Sequence, residues 1–424
     1  MTTDAGPAAS PSLACRLGTG DAVVIGLGSM MGAGVFAVWA PAAAAAGVGL
    51  LIGLGLAAII AYCNAVASAQ LAAVYPVSGG TYVYGRERLG EWWGFLAGWA
   101  FVVGKTASCA AMALTFGSYA VDGSRWEQRA VAVAAVAAIA ALNYRGVTRT
   151  AQLTRVLVAC TLVALTVFVV AAVTSPAAST EHLHGWSAVS PYGVLQSAGL
   201  LFFAFAGYAR IATMGEEVRD PARTIPRAIP LALGITVLVY VVVGVASLVV
   251  GGPELLASST SPLTAVLSSA DRESVEPVIR VGAALASLGA LLALMTGIGR
   301  TSLAMAREGD LPRWLGAVHQ KYRVPHRAEV ALGVVVAALV LTTDLRGALG
   351  FSSFGVLVYY AVANASAFTQ PAADRRWPRA LQVVGVLGCL VLAFSLPVAA
   401  VLLGLGALAV GLLGRVVSRR GAAR

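Results

Sequence analysis

The segment Ile25-Gly26-Leu27-Gly28-Ser29-Met30-Met31-Gly32-Ala33-Gly34-Val35-Phe36 lies inside an apolar stretch long enough to cross a bilayer, yet it contains four glycines. Glycine costs about 1 kcal/mol relative to alanine in a helix interior, so this run favours opening of the helix. In lipid, an opened backbone must find partners in protein, water or a ligand. Freed N–H groups at the start of a half-helix attract an anionic group, which makes a mid-membrane break a candidate binding site. The competing reading is close helix packing over small residues, with Gly28 and Gly32 as a small-xxx-small pair.

Composition places the segment in context. The 424 residues are 58% hydrophobic and 11% charged, with a mean hydropathy of +0.82. Soluble domains average about 45–50% apolar and about 25% charged, so the chain reads as an all-α integral membrane protein. The net charge of +10 sits in short loops between apolar spans, where basic residues fix topology rather than bind nucleic acid. The five cysteines are scattered without a CxxC pair, which argues against a disulfide framework or a zinc site. No signal peptide is read in the first twenty residues.

Apolar periodicity predicts twelve spans, at about 22–46, 48–74, 92–120, 128–144, 152–173, 192–215, 228–250, 277–304, 328–343, 350–369, 380–396 and 398–414. Residues 1–20 read as a flexible tail with Asp21 capping the first span, and 417–424 as a second tail. Residues 77–88 read as a loop dense in turn formers and charge, and 251–276 as an outer loop. Of the 29 lysines and arginines, 22 fall on the side of the termini and five on the other, with Lys105 and Arg210 inside spans. Both termini are therefore expected in the cytoplasm, with the chain in the cytoplasmic membrane.

Span 6 carries Phe202-Phe203-Ala204-Phe205-Ala206-Gly207-Tyr208-Ala209-Arg210, a second interruption at mid-depth. Spans 1 and 6 stand five apart, and five is odd, so two such halves insert in opposite orientations. Paired interruptions of this kind point to an inverted-repeat transporter with a site at the breaks. The halves are 21–173 and 174–370, followed by two additional helices over 371–416.

Four stretches then carry a resemblance. Gly28-Ser29-Met30-Met31-Gly32-Ala33-Gly34-Val35-Phe36 resembles the first-span signature of the amino acid–polyamine–organocation (APC) transporters. Pro76-Val77-Ser78-Gly79-Gly80-Thr81-Tyr82 is similar to the P-x-S-G-G-x-Y segment of that superfamily. Phe202 to Gly207, with Glu216-Glu217-Val218 and Pro221 to Pro226, resembles its sixth span and following loop. Ala304-Met305-Ala306-Arg307-Glu308-Gly309-Asp310-Leu311-Pro312 resembles its eighth-span exit. The resemblance implies a LeuT-type fold: two inverted five-span repeats with discontinuous helices 1 and 6, two extra helices, and alternating access around a midplane site. It also implies an amino acid permease with no cofactor. Gly32, Ala33 and Gly34 would then hold the substrate carboxylate by backbone N–H groups. Carbonyls around Ser29 and Met30, with Phe203 and Ala206, would hold the α-amino group beside Gly207. Ala33 stands where many relatives have serine, so one hydroxyl donor is missing.

Two cations fall near the middle of spans, Lys105 and Arg210, and each would cost roughly 2.5–3.5 kcal/mol if unpaired. No acidic residue stands near the middle of a span, so the two read as lacking a protein partner. A substrate carboxylate or the carbonyls of broken spans would supply one. Cationic substrates would be repelled, so neutral or acidic amino acids are expected, with amines, polyamines or other small organic ions as the alternative. Lysine can lose its proton when buried and arginine effectively cannot, which makes Lys105 the candidate proton carrier. Thr161 with Ser287 and carbonyls of span 1 is the alternative as a sodium site, and exchange without a coupling ion stays open. Phe203, Phe205 and Tyr208 read either as a gate or as packing, Asn64 and Asn364 as interhelical hydrogen bonds, and Glu216 and Glu217 as members of an ion-pair network. No HExxH or GxSxG motif occurs, so catalytic and metal residues are not expected.

Overall fold

The computed structural model describes residues 17–76, 79–146, 151–215 and 217–422. The expectations for the tail through residue 16, for Val77-Ser78, for residues 147–150, for Glu216 and for residues 423–424 lie outside the described residues. Among those described, all regular structure is helical, apart from an isolated bridge between Leu17 and Val218.

In chain order the helices are α1 (Thr19–Met30), α2 (Gly34–Ala37), α3 (Trp39–Ala46), α4 (Leu50–Val74), α5 (Thr81–Leu89), α6 (Glu91–Ala120), α7 (Arg125–Tyr144), α8 (Ala151–Val173) and α9 (Pro191–Phe205). There follow α10 (Ala209–Ala212), α11 (Pro221–Ser258), α12 (Pro262–Ser269), α13 (Glu276–Arg307), α14 (His326–Thr342), α15 (Leu345–Phe368), α16 (Arg379–Ser395) and α17 (Val398–Ala422).

Nine stretches of the described residues are long and apolar enough to cross a bilayer. On α8, Val156, Val163 and Val170 are each more than half exposed and stand seven residues apart, on one face. An apolar stripe of that kind suits lipid rather than water. The chain is a multi-pass membrane protein. Three of the twelve expected spans form helices that fall short of the same criterion. Helix α7 holds Arg125, Glu127 and Arg129 within its 20 residues. Helices α14 and α16 have 17 residues each, about 25 Å at 1.5 Å per residue, against a hydrocarbon core of about 30 Å.

Local chemistry explains where the boundaries fall. Asp21 sits in the first turn of α1, where its carboxylate accepts from the Gly18 N–H at 3.1 Å. The expected loop over 77–88 is instead largely α5. Its consecutive turn formers precede Thr81, leaving Gly85 alone inside the helix: Gly79 and Gly80 adopt φ of 137° and 56°, which glycine allows without strain. Beyond them no proline or glycine pair breaks the run, and buried Tyr82 and Tyr84 give the helix a packed face. The expected outer loop over 251–276 likewise contains α12, and α11 runs on to Ser258 through a kink at Gly252 (φ 68°). The interhelical role of the asparagines holds, since Asn364 Nδ2 donates to Asn64 Oδ1 at 2.6 Å.

Candidate site between two broken helices

Both predicted interruptions are present. Helix α1 stops at Met30, residues 31–33 leave the helical path, and α2 starts at Gly34. Helices α2 and α3 follow one another through Val38, which keeps right-handed helical angles. Helix α9 stops at Phe205, Ala206–Tyr208 tighten into a 3₁₀ turn, and α10 follows. The two breaks cross in contact. A Cβ on Gly207 would stand 2.3 Å from the Ser29 carbonyl, and a Cβ on Gly34 would stand 2.9 Å from Ala204 Cα. A Cβ on Gly32 would meet Ala290 Cβ at 2.6 Å. Opening of the helix therefore occurs together with close packing over Gly32 and Gly34.

The groups freed by the breaks are unequally satisfied. Ala206 O accepts from Lys105 Nζ at 3.2 Å and from the Tyr360 hydroxyl at 3.2 Å. The Tyr240 hydroxyl lies 2.7 Å from Met30 O and 3.0 Å from Ala204 O, and its single proton serves one at a time. Ser29 Oγ is turned back onto Ile25 O at 2.9 Å. By contrast, no backbone carbonyl of the described residues accepts from the N–H of Gly32, Ala33 or Gly34. This is the polarity expected of an anion cradle at a half-helix start. Removing the Tyr240 hydroxyl as Tyr240→Phe strips a buried donor from two carbonyls. It is expected to cost about 1–3 kcal/mol, read as a lower melting temperature of the purified protein in detergent.

Beside the crossing lies a cavity of about 210 Å³. Of the residues singled out from sequence, Ser29, Lys105, Phe203, Ala206, Gly207, Arg210 and Glu217 line it, as do Gly79 and Tyr82 of the Pro76–Tyr82 segment. Met30, Gly32, Ala33 and Gly34 are buried at the break next to it, Gly32 against the lining residue Ala290. Tyr208 is fully buried, its ring 5.0 Å from that of Tyr360. Thr161 is buried on α8, where Oγ1 donates to Leu157 O at 2.8 Å. Ser287 is fully buried, and its hydroxyl has no hydrogen-bond partner among the described residues.

Both mid-span cations have protein partners, which corrects the expectation that they lacked them. Lys105 is 8% exposed and donates to the Ala206 carbonyl, an acceptor that exists because span 6 unwinds there. Arg210 pairs with Glu217 at 3.6 Å, and both side chains are about one-third exposed to the cavity. The pair forms because span 6 ends at Ala212, a turn earlier than expected, and the following turn brings Glu217 back beside α10. Glu217 thus belongs to an ion pair, as anticipated. A buried acid also escaped the sequence reading: Glu329, in the first turn of α14, is 2% exposed and accepts from Asn143 Nδ2 at 3.4 Å.

Other lining residues were missed. Arg300 was counted only among the basic residues on the side of the termini, whereas it stands two turns before the end of α13 and lines the cavity. Tyr359 lines the cavity and Tyr360 bonds the unwound turn. Their adjacency inside a span was the available signal. Tyr240 had none, because an isolated tyrosine in an apolar helix looks like packing until the fold supplies its acceptors.

The family model described as amino acid permease matches residues 17–411. An uncharacterized transporter of Mycobacterium tuberculosis is 60% identical over 409 residues, covering 96% of this chain and 92% of that protein. A branched-chain amino acid permease of Bacillus subtilis is 27% identical over 399 residues, covering 88% and 85%. A chloroplastic cationic amino acid transporter of Arabidopsis thaliana is 29% identical over 377 residues, covering 82% and 64%.

Proposed function

This chain belongs to the amino acid permease family and is a multi-pass membrane transporter, not an enzyme; from that premise we propose that it carries neutral or acidic amino acids by alternating access. The observation that carries this reading is the cavity at the crossing of the two broken helices, with Lys105, Arg210 and Arg300 facing a single described carboxylate, Glu217. Sites for drug-sized ligands run about 300–1,000 Å³, so a cavity of about 210 Å³ suits a smaller solute.

In this reading the arrangement is the twelve-span LeuT type, with repeats over 21–173 and 174–370, in the cytoplasmic membrane with both termini inside. The free N–H groups of Gly32, Ala33 and Gly34 take the substrate carboxylate. Ala206 O already accepts from two donors, so the α-amino group turns to the Ser29, Met30 and Phe203 carbonyls, and Gly207 keeps α1 close enough for both ends to be reached. Tyr208 supports the turn from behind. Arg210 and Arg300 set the sign of the vestibule. Proton coupling through Lys105 is favoured over sodium at Thr161, because Lys105 touches the unwound turn directly whereas the Thr161 hydroxyl is engaged by its own helix.

The rival reading is a carrier of amines or cationic amino acids. Similarity to the Arabidopsis thaliana cationic amino acid transporter favours it, and the cationic lining opposes it. Reconstitution into liposomes tests both, with binding and uptake screened across neutral, acidic and basic amino acids at two pH values, with and without sodium. Saturable uptake of neutral or acidic substrates, stimulated by counter-substrate, is expected. Preference for arginine or a polyamine would overturn the charge argument.

A further inference from the structure

Three segments, α5, the exit from α13 and α17, converge on one buried carboxylate. Asp310, in the exit from α13, has a side chain only 2% exposed. It accepts from the Tyr82 hydroxyl at 2.8 Å, and pairs with Arg86 at 3.2 Å and with Arg415 of the last helix at 2.9 Å. The Arg415 side chain is fully buried. Its guanidinium stands 4.7 Å from the ring centres of both Trp92 and Phe95, and Nη1 donates to Glu91 O at 2.7 Å.

Tyr82 is also part of the cavity wall. Its ring fills the space a Cβ on Gly98 would occupy, at 2.7 Å. Burial and the bond to Asp310 hold its hydroxyl above the ordinary tyrosine value, so it stays a donor. The same helix reaches the second broken span, where the Tyr84 hydroxyl donates to Ala212 O at 3.2 Å. It reaches α15 as well, since the Thr81 N–H donates to the Tyr359 hydroxyl at 3.1 Å. Helix α5 thus links the buried ion pair to three sides of the cavity.

We propose that Arg415 is a positioning residue for transport: through Asp310 it fixes Tyr82 and α5 in the arrangement that keeps the cavity open on the side of Gly79, Arg300, Thr301 and Ala304, which is the arginine-rich face on the side of the termini. Breaking a buried pair by removing one partner leaves an uncompensated charge. Without Arg415, Asp310 depends on Arg86, which also pairs with Glu308 at 3.4 Å and lies 3.8 Å from Glu91. The open arrangement then loses its clamp and its population falls. The last helix, which carries no motif of its own, acquires a role in conformational balance.

The proposal rests on the reading of the cavity as the transport route, but its test needs no substrate. The cavity-lining Thr301 is replaced by cysteine in a chain whose five native cysteines are alanine. A membrane-impermeant methanethiosulfonate is then applied from the arginine-rich face. Arg415→Gln is expected to slow labelling at least threefold, and Arg415→Lys to restore most of the rate. Tyr82→Phe, which keeps the ring and loses only the hydroxyl, slows labelling in the same direction and serves if Arg415→Gln does not fold. A lowered melting temperature with an unchanged labelling rate, in whichever of these variants folds, overturns the proposal and leaves Arg415 as an anchor of α17. A change in labelling without amino acid uptake by the parent would keep the clamp and reject the substrate assignment.

Discussion

Replacing Gly207 with alanine is expected to reduce uptake below a tenth of the parent's and to lower the melting temperature of the purified protein. The added methyl would stand 2.3 Å from the carbonyl carbon and oxygen of Ser29 and 2.5 Å from Met30 N. These are backbone atoms at the end of α1, and unlike a side-chain tip they cannot rotate away. Overpacking a core typically costs 1–3 kcal/mol, occasionally more. Relief here requires moving the terminus of α1, whose Met30 carbonyl is held by Tyr240 at 2.7 Å. Stability and the geometry of the break therefore fail together. Gly297 is the control: it lines the same cavity, and a Cβ there meets nothing within 4 Å. Gly297→Ala should keep its melting temperature and at least half its uptake. Equal losses in the two variants would assign the effect to cavity filling instead of the crossing.

Lys105→Ala is expected to abolish accumulation driven by a pH gradient, by tenfold or more, while counterflow of substrate stays within about threefold of the parent. The variant should fold, because Ala206 O keeps the Tyr360 hydroxyl as donor when the lysine is lost. A buried lysine without a carboxylate can exchange its proton, and the acceptor it holds is the unwound turn of span 6. Gain or loss of that proton changes the bond at the element which must rearrange, and this is how a proton gradient would be felt. Comparing accumulation and counterflow in the same proteoliposomes separates coupling from transport. If Lys105→Ala retains its response to the pH gradient, the lysine is structural and the coupling assignment falls.

Glu329 touches α13 on the side away from the cavity, at Gly299, next to the lining residue Arg300. It was invisible as a mid-span charge because it falls within the first turn of a span, where an acid ordinarily meets water and the helix dipole. Only the packing of α7 and α13 over that turn buries it.

Much of this protein was determined by local sequence. Apolar runs with few charges require helices in lipid, where every backbone group needs an internal partner. Glycine at 32, 34 and 207 both weakens the helix and removes the side chain, so the positions of the two breaks were legible before any coordinates. The same rules located the turn ahead of α5, though not α5 itself, whose helical face is stabilised by burial of Tyr82 and Tyr84. What the tertiary structure decided is which partner each polar group meets. Lys105 and Ala206 are 101 positions apart, Tyr240 and Met30 are 210 apart, and no local pattern announces either bond. Asp310 looked like an ordinary loop charge, and Arg415 like an ordinary charge at the end of the last span, until the packing of α5, α6 and α17 excluded water from both. Helix breaks are set by the residues at the break, whereas the value of a charge is set by whatever the rest of the chain places around it.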